Sequence, residues 1–311
     1  MYDPRITEQR NPLTVEIDLA SPEEIVDHLN AEDRTVALAV ATQRAQLARA
    51  IAVAEDTFRG GGRLFYVGAG TSGRLGVLDA TEIPPTFGAS PDLVHGIIAG
   101  GPAALTRSQE GAEDRPLDAQ EDLKTAGLKA TDFVVGIAAS GTTPYVRAAL
   151  AHARSVGART AIVACSPPSA ETLASVDIAI VTITGPEVVT GSTRLKAGTA
   201  TKMVLNTITT GAMIRLGKTY GNLMVDLQAT NAKLKDRSER IVREVCGSTP
   251  DEARALLERA GGSVKVAIVM NKTSGAILTC VASTTTLTIT APVNWANNDK
   301  LVWIVIGTNH T

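Results

Sequence analysis

A chain of 311 residues with 44% hydrophobic residues is long enough to bury a full core, as one large domain or two modest ones. The 30 basic and 32 acidic residues leave a net charge of -2, and no basic run is long enough to follow a nucleic acid, so we expect no nucleic-acid partner. No apolar run approaches the roughly 20 residues of a membrane span, and we therefore expect a cytoplasmic protein without a membrane partner.

The first predicted element is a helix that begins after Ser21. Pro22 at the first helical position and Glu24 at the third complete the start signal of a capped helix. A long pattern of Ala, Leu and Val follows to Phe58, and the triple glycine 60–62 ends it. Residues 1–53 are thus expected to form an N-terminal helical segment.

Short apolar strands and helical patterns alternate from Leu64 onward. Strands are expected at residues 64–67, 93–99, 133–138, 160–164 and 178–182, with helices from about Gly73, from Ala103 and over residues 144–156. Such alternation implies a parallel sheet covered by helices on both faces, with a ligand site at the carboxyl ends of the strands. The fold class is therefore α/β, with this domain over residues 54–218.

The C-terminal part of the chain has a different character. A long helical pattern runs from Thr190 through Gly217, and a polar helical pattern covers residues 222–245. The sequence Thr-Pro-Asp-Glu at 249–252 repeats the helix-start signal, so residues 219–270 predict a small helical appendage. Residues 271–311 are rich in Thr, Val and Ile, and form an atypical, strand-like tail of unknown role.

Two loops of Gly, Ser and Thr lie where a predicted strand gives way to a helix. One covers residues 68–73 and the other residues 140–143. Unpaired N–H groups and the positive end of a helix dipole attract an anion at such a junction, and small side chains let a phosphate approach the backbone. The sequence therefore predicts a phosphorylated small molecule as ligand.

The first loop also matches the GxGxxG pattern of dinucleotide-binding proteins, through Gly68, Gly70 and Gly73. That pattern requires an acidic residue at the end of the second strand, roughly 20 residues on. Here the second strand ends in Ile-Ile-Ala-Gly-Gly at 97–101, so we reject a dinucleotide site. The alternative that the glycines only permit a tight turn stays open.

Two glutamates are candidates for acid–base chemistry. Glu82 precedes Pro84 and Pro85, which are expected to stop the first helix within reach of the phosphate loop, and Glu113 lies in the acidic cluster 110–114. Two carboxylates that face one pocket can act as general acid and general base. The alternative is that both are solvated surface acids, which is the commoner situation for charged residues.

Residues 185–206, from Gly-Pro-Glu to Lys-Met-Val-Leu-Asn, resemble a signature shared by N-acetylmuramic acid 6-phosphate etherases and glucokinase regulatory proteins. The resemblance extends over roughly residues 17–270 and includes 68–74, 79–86, 98–101, 110–114, 136–141 and 221–226. The single-unit length is similar to the bacterial etherases. The resemblance implies a sugar isomerase (SIS) domain, which is a flavodoxin-like parallel sheet sandwiched by helices, and a homodimer.

The resemblance implies cleavage of the lactyl ether at C3 of N-acetylmuramic acid 6-phosphate, which gives D-lactate and N-acetylglucosamine 6-phosphate. It matches Glu82 to the acid that protonates the departing lactate oxygen, and Glu113 to the second active-site carboxylate. In the open-chain aldehyde a base at C2 and an acid at O3 permit elimination, after which water adds at C3. No metal or cofactor is expected, because the three cysteines and four histidines lack ligand spacing.

The phosphate-binding residues implied by the two loops are Gly70, Thr71, Ser72, Ser140, Gly141 and Thr142. Glu187, Ser192, Arg194 and Lys196 are expected to line the same pocket, with the two cations meeting phosphate or the lactyl carboxylate. A purely structural role for either cation stays open. Two other functions also stay open, namely a sugar-phosphate aldose–ketose isomerase and a sugar-phosphate-sensing regulatory protein.

Overall fold

The computed structural model of the chain describes residues 5–227, 229 and 232–272. The chain divides into two compact units. The first contains the residues up to Ile83 together with Ser90–Leu216, and the second contains Pro84–Ala89 and the residues from Gly217 onward. The strands predicted in the tail lie outside the described residues.

The N-terminal segment contains three short 3-10 turns and three helices. The turns are Ile6–Glu8, Pro12–Thr14 and Ile17–Leu19, and the helices are α1 Pro22–Asp33, α2 Val36–Ala41 and α3 Arg44–Arg59. The capping box that Ser21 and Glu24 predict is confirmed at the start of α1. The single long helix expected up to Phe58 is instead interrupted twice, where Thr35 and Thr42 donate their hydroxyl protons to backbone carbonyls of the preceding turn.

A parallel sheet of five strands forms the centre of the first unit. Its strands are β1 Leu64–Gly68, β2 Val94–Ile98, β3 Phe133–Ile137, β4 Arg159–Ala164 and β5 Ile178–Val181, in the order β2-β1-β3-β4-β5. All five residues of β1 and of β3 are buried, as the apolar runs predict. Gly68 pairs with Ile98 on one side and with Ile137 on the other, so the three adjacent strands β2, β1 and β3 end at one level.

In the described part of the first unit, five further helices follow β1 along the chain. They are α4 Gly70–Phe87, α5 Pro116–Thr125, α6 Pro144–Val156, α7 Ala170–Ala174 and α8 Lys196–Arg215. The helix expected from Ala103 is not formed, because the chain there makes only the 3-10 turns Pro102–Leu105 and Ala112–Asp114 before α5. The α/β prediction itself is confirmed.

The expected stop of α4 before its two prolines is wrong. The helix continues through Pro84 and Pro85, and the Gly88 N–H donates to the Pro84 carbonyl to close its last turn. Internal prolines each remove a helical hydrogen bond, which costs about 3 kcal/mol in an exposed helix. Ile83 and Phe87 on either side are 4% and 5% exposed, and their burial offsets that cost.

A buried polar cluster joins α4 to α8 beside β1. The Asp79 Oδ2 atom accepts hydrogen bonds from the hydroxyls of Tyr66 and Thr209, each at 2.9 Å, and its Oδ1 atom accepts from the Asn206 amide at 2.5 Å. Burial raises the pKa of the Asp79 carboxyl, although the three donors oppose this. Asp79 and Asn206, which stand in separate stretches of the family resemblance, thus meet in the core.

The C-terminal part of the second unit begins with a short antiparallel hairpin of β6 Thr219–Tyr220 and β7 Leu223–Met224. Three helices follow, α9 Ala232–Cys246, α10 Pro250–Arg259 and α11 Val264–Lys272. The predicted capping box at the start of α10 is confirmed, whereas the polar helix expected from Asn222 begins only at Ala232 because the hairpin precedes it. In the described part of the chain, no helix has the length and apolar character needed to cross a membrane.

Candidate active site

The first phosphate-loop candidate connects β1 to α4. A Cβ atom on Gly73 would lie 2.6 Å from the Gly68 carbonyl oxygen and 2.6 Å from Ile98, so this glycine is required for the strand and helix to pack. Gly70 differs, since it is exposed with a φ of +52° and has open space where a side chain would be. Thr71 and Ser72 follow in the first turn of α4, both half-buried.

The second loop connects β3 to α6. The hydroxyls of Ser140 and Thr142 lie 2.9 Å apart, and the Thr142 N–H donates to the Ser140 hydroxyl at 3.3 Å. Gly141 has a φ of +73°, and a side chain there would press on Pro168 at 3.0 Å. Because β1 and β3 are neighbours that end level with each other, the two loops leave the sheet side by side at its carboxyl edge.

Glu113 lies at the same edge of the sheet. It belongs to the 3-10 turn Ala112–Asp114 and is exposed. This turn packs against Gly100, just beyond the end of β2, since a Cβ atom on Gly100 would lie 3.3 Å from that of Ala112. As β2 is the other neighbour of β1, the structure brings Glu113 to the edge that carries both loops.

Glu82 lies elsewhere in the single chain. It is exposed on α4, twelve residues beyond Gly70. At a rise of 1.5 Å per residue, it lies about 18 Å along the helix axis from the loop. The expectation that Glu82 is within reach of its own phosphate loop is therefore corrected, because α4 starts at the loop and leads away from it.

Glu187 is completely buried and caps α8. Its two carboxylate oxygens accept hydrogen bonds from the backbone N–H groups of Lys196 and Ala197, at 3.0 and 2.9 Å. Burial raises the pKa of the Glu187 carboxyl, although the two N–H donors oppose this. The expectation that Glu187 lines the ligand pocket is corrected, because both oxygens satisfy N–H groups that the helix start leaves unpaired.

Lys196 is also buried and does not line the expected pocket. Only 2% of its side chain is exposed, and its Nζ atom forms an ion pair with the Glu32 carboxylate of α1. Glu32 accepts a further hydrogen bond from the Asn11 side-chain amide at 3.1 Å. The charge of Lys196 is thus compensated inside the protein, which corrects its expected place in the pocket and favours the alternative of a structural cation.

Ser192 and Arg194, the other two candidate residues between 187 and 196, are accessible to solvent. Ser192 is half-buried, and Arg194 is exposed with no ion pair or hydrogen bond from its guanidinium to another described residue. The ideal Cβ position of Gly198 lies 3.4 Å from the Thr193 carbonyl oxygen and 3.6 Å from the Thr71 methyl group. The turn that carries Arg194 therefore packs beside the first phosphate loop.

The N-terminal turns contribute contacts that sequence reasoning missed. The Thr7 N–H donates to the Ser166 hydroxyl at 3.1 Å, and the Thr14 hydroxyl donates to the Val188 carbonyl at 2.8 Å. These partners are 159 and 174 residues apart in the chain. No local pattern signals such pairings, yet they fasten residues 6–19 to the end of β4 and to the loop around Glu187.

The chemical groups at this edge are hydroxyls, backbone amides, a carboxylate and a guanidinium. These suit a phosphorylated, anionic ligand and proton transfer. Over residues 5–227, 229 and 232–272, no three His, Cys, Asp or Glu side chains are grouped so that they can hold a metal ion.

Comparison with known proteins identifies relatives across most of the chain. The family model for the glucokinase regulatory protein N-terminal SIS domain matches residues 46–154. N-acetylmuramic acid 6-phosphate etherase of Rhodopirellula baltica is 54% identical over 265 residues, which cover 85% of this chain and 87% of the relative. The enzyme of the same name from Symbiobacterium thermophilum is 55% identical over 264 residues, with 85% and 87% coverage.

Among solved structures, a phosphoheptose isomerase from Francisella tularensis is similar with a TM-score of 0.48 and 14% identity, over 61% of this chain and 98% of that one. The etherase relatives are far closer in sequence and extend over both units. With its parallel SIS sheet, its two hydroxyl loops and this level of identity, the chain belongs to the family of N-acetylmuramic acid 6-phosphate etherases.

Proposed function

We propose that this protein cleaves the lactyl ether of N-acetylmuramic acid 6-phosphate, a carbon–oxygen lyase reaction that gives D-lactate and N-acetylglucosamine 6-phosphate. The proposal rests on one observation, which is that both hydroxyl loops and Glu113 lie at the carboxyl edge of the sheet. The loops after β1 and β3 leave the sheet side by side, and Glu113 follows the neighbouring strand β2 at the same edge. These positions support a site at this edge in which the loops hold the phosphate and Glu113 takes a proton.

The two loops hold the phosphate in this proposal. The hydroxyls of Ser72, Ser140 and Thr142 donate hydrogen bonds to its oxygens, and the first N–H groups of α4 supply further donors and the positive end of the helix dipole. The glycines at 70 and 141 keep the backbone accessible. Anchoring the phosphate fixes the position of the sugar chain, so that C2 and C3 meet the same groups in every turnover.

The chemical steps use both glutamates. In the open-chain aldehyde, Glu113 removes the C2 proton, which the neighbouring carbonyl acidifies. The electron pair left at C2 forms the C2–C3 double bond as the C3–O bond breaks, and Glu82 donates a proton to the departing lactate oxygen. Water then adds at C3 and gives a proton to Glu82 while Glu113 returns a proton to C2, which restores the saturated sugar and the starting protonation state of both glutamates.

The position of Glu82 supports a homodimer in which this residue acts on the partner's substrate. Within one chain, Glu82 lies about 18 Å along α4 from the loop, whereas the phosphate and the C3 oxygen of one sugar lie much closer together. A single chain therefore has only one of the two glutamates near its loops. A second copy, placed by two-fold symmetry, can supply the other to each site.

The direct test measures lactate release from N-acetylmuramic acid 6-phosphate by the wild type and by Glu82→Gln and Glu113→Gln. We expect release by the wild type and a loss of about 100-fold or more in each variant, as is typical for a missing acid or base. Asp114→Asn, which changes the exposed carboxylate next to Glu113, is the matched control and should retain activity. In water labelled with oxygen-18, the label should enter C3 of the sugar, and label in lactate would refute elimination.

Shared sites are tested by complementation between two inactive subunits. A heterodimer of one Glu82→Gln and one Glu113→Gln subunit, isolated through two different affinity tags, contains one site with both glutamates. We expect about half of the wild-type rate per dimer from this species. An inactive heterodimer would mean that each subunit supplies both glutamates to its own site. A cytoplasmic location and the absence of a nucleic-acid partner stay predictions.

A further inference from the structure

The substrate of the proposed reaction carries two anions, the phosphate and the lactyl carboxylate, and only the first is matched by the hydroxyl loops. The turn at residues 191–196 packs beside the first loop and offers two cations, Arg194 and Lys196. A third anion-binding element of this turn is the N-terminus of α8. These three candidates differ in whether each already has a binding partner within the protein.

Two of the three are already satisfied. Lys196 has 2% of its side chain exposed and is paired with Glu32, so meeting a ligand would leave a buried carboxylate without its cation. The first N–H groups of α8 donate to Glu187, which stands where an external anion would bind. Neither group is available to the substrate without breaking an internal contact.

Arg194 is the remaining cation of the turn. It is exposed, and within the described part of the chain its guanidinium has no acceptor. The carbonyl oxygen of the preceding residue, Thr193, and the methyl group of Thr71 in the phosphate loop flank the same point of α8. Arg194 thus belongs to a turn that packs beside the loop proposed to anchor the phosphate.

Resting on the proposed function, we infer that Arg194 binds the lactyl carboxylate and thereby distinguishes the substrate from its sugar-phosphate product. A guanidinium presents paired N–H donors that match a planar carboxylate, whereas the tetrahedral phosphate already has hydroxyl and amide donors. The product lacks the lactyl group, so this contact is lost once the ether is cleaved. Arg194 then holds substrate but not product, which favours product release.

The test compares the binding of substrate and product in a background that does not turn over. Titration calorimetry on Glu113→Gln and on the double variant Glu113→Gln/Arg194→Gln gives the Kd of N-acetylmuramic acid 6-phosphate and of N-acetylglucosamine 6-phosphate. We expect Arg194→Gln to weaken substrate binding about 10- to 100-fold, the range for a charge-assisted contact. Product binding should change by less than about twofold, which also shows that the site is folded. Arg194→Lys should restore part of the substrate affinity.

Arg107→Gln is the matched control, because Arg107 is also exposed and lies in the segment after β2 that leads to Glu113. It should leave the ratio of the two Kd values unchanged. Equal weakening of substrate and product by Arg194→Gln would place Arg194 on the phosphate and overturn the inference, as would no effect on either ligand. Failure of the proposed function appears separately, as a wild-type protein that releases no lactate.

Discussion

Replacing Lys196 by methionine tests the buried ion pair that holds α8 to α1. Met keeps most of the side-chain volume and removes the charge, so that the Glu32 carboxylate, itself 14% exposed, loses its cation. Breaking a buried pair from one side costs about 3–5 kcal/mol. Since Glu32 keeps the Asn11 amide as a donor and has some access to water, we expect a value near the lower limit, about 3 kcal/mol.

Chemical and thermal denaturation followed by circular dichroism measure this loss. For a unit of this size, about 3 kcal/mol corresponds to a fall in Tm of roughly 6–12 °C. Lys124→Met is the matched control, because Lys124 is 57% exposed and lies 3.9 Å from Glu121 in a surface pair. That substitution should cost less than about 0.5 kcal/mol.

The double variant Glu32→Met/Lys196→Met decides whether the loss comes from the stranded carboxylate. Replacing both members of a buried pair by apolar side chains is often neutral, so the double variant should be more stable than Lys196→Met alone. The reasoning would be refuted if Lys196→Met cost no more than Lys124→Met, or if the second substitution added a further loss of stability.

Three other substitutions test the remaining buried features. Asp79→Asn should destabilise the protein by about 1–3 kcal/mol in denaturant, because an amide has only one acceptor oxygen, so either the Asn206 amide or the two hydroxyls lose their acceptor. Gly73→Ala should cost about 1–3 kcal/mol and weaken binding of the sugar phosphate in calorimetry, since its Cβ would lie 2.6 Å from the Gly68 carbonyl oxygen. Hydrogen bonds from Arg215 and Arg59 hold the pKa of Glu55 below its usual value. Glu55 therefore stabilises the fold at pH values above the ordinary carboxyl pKa of about 4.3. That stability is lost as the pH falls through the lowered pKa, and Glu55→Gln should flatten the acid limb of a plot of Tm against pH.

Each of these expectations has an outcome that contradicts it. Wild-type stability in Asp79→Asn would mean that the cluster rearranges at no cost. A Gly73→Ala protein with unchanged ligand affinity would show that the first loop does not depend on close packing against β2. An acid limb that stays equally steep without the Glu55 carboxyl would assign the acid sensitivity to other groups.

Much of the fold follows from local sequence. The strands β1 and β3 are continuous apolar runs that are buried along their whole length, and the cap signals at Ser21 and Thr249 each start the helix they predict. Such signals depend on a few adjacent residues. The continuation of α4 beyond Pro84 is different, because it depends on the burial of Ile83 and Phe87, which the sequence of the helix does not reveal.

The sequence predicts the position of those parts of the candidate site that directly follow a strand. The two hydroxyl loops and Glu113 lie at the carboxyl edge because parallel β/α topology places them there. The roles of Glu187 and Lys196 were not predictable in the same way. Whether a charged residue faces a ligand or a buried partner depends on residues far away in the chain, and Glu32 is 164 positions from Lys196.

The division of the chain has a consequence for synthesis on the ribosome. The second unit takes the short stretch Pro84–Ala89 from the middle of the first, and its remaining residues follow only after Leu216. At roughly 5–20 residues per second, the segment 90–216 takes on the order of ten seconds to emerge. Phe87, which is 5% exposed in the finished protein, belongs to this stretch and therefore emerges well before the rest of its unit. Nascent chains halted before residue 217 should therefore bind chaperones at this stretch.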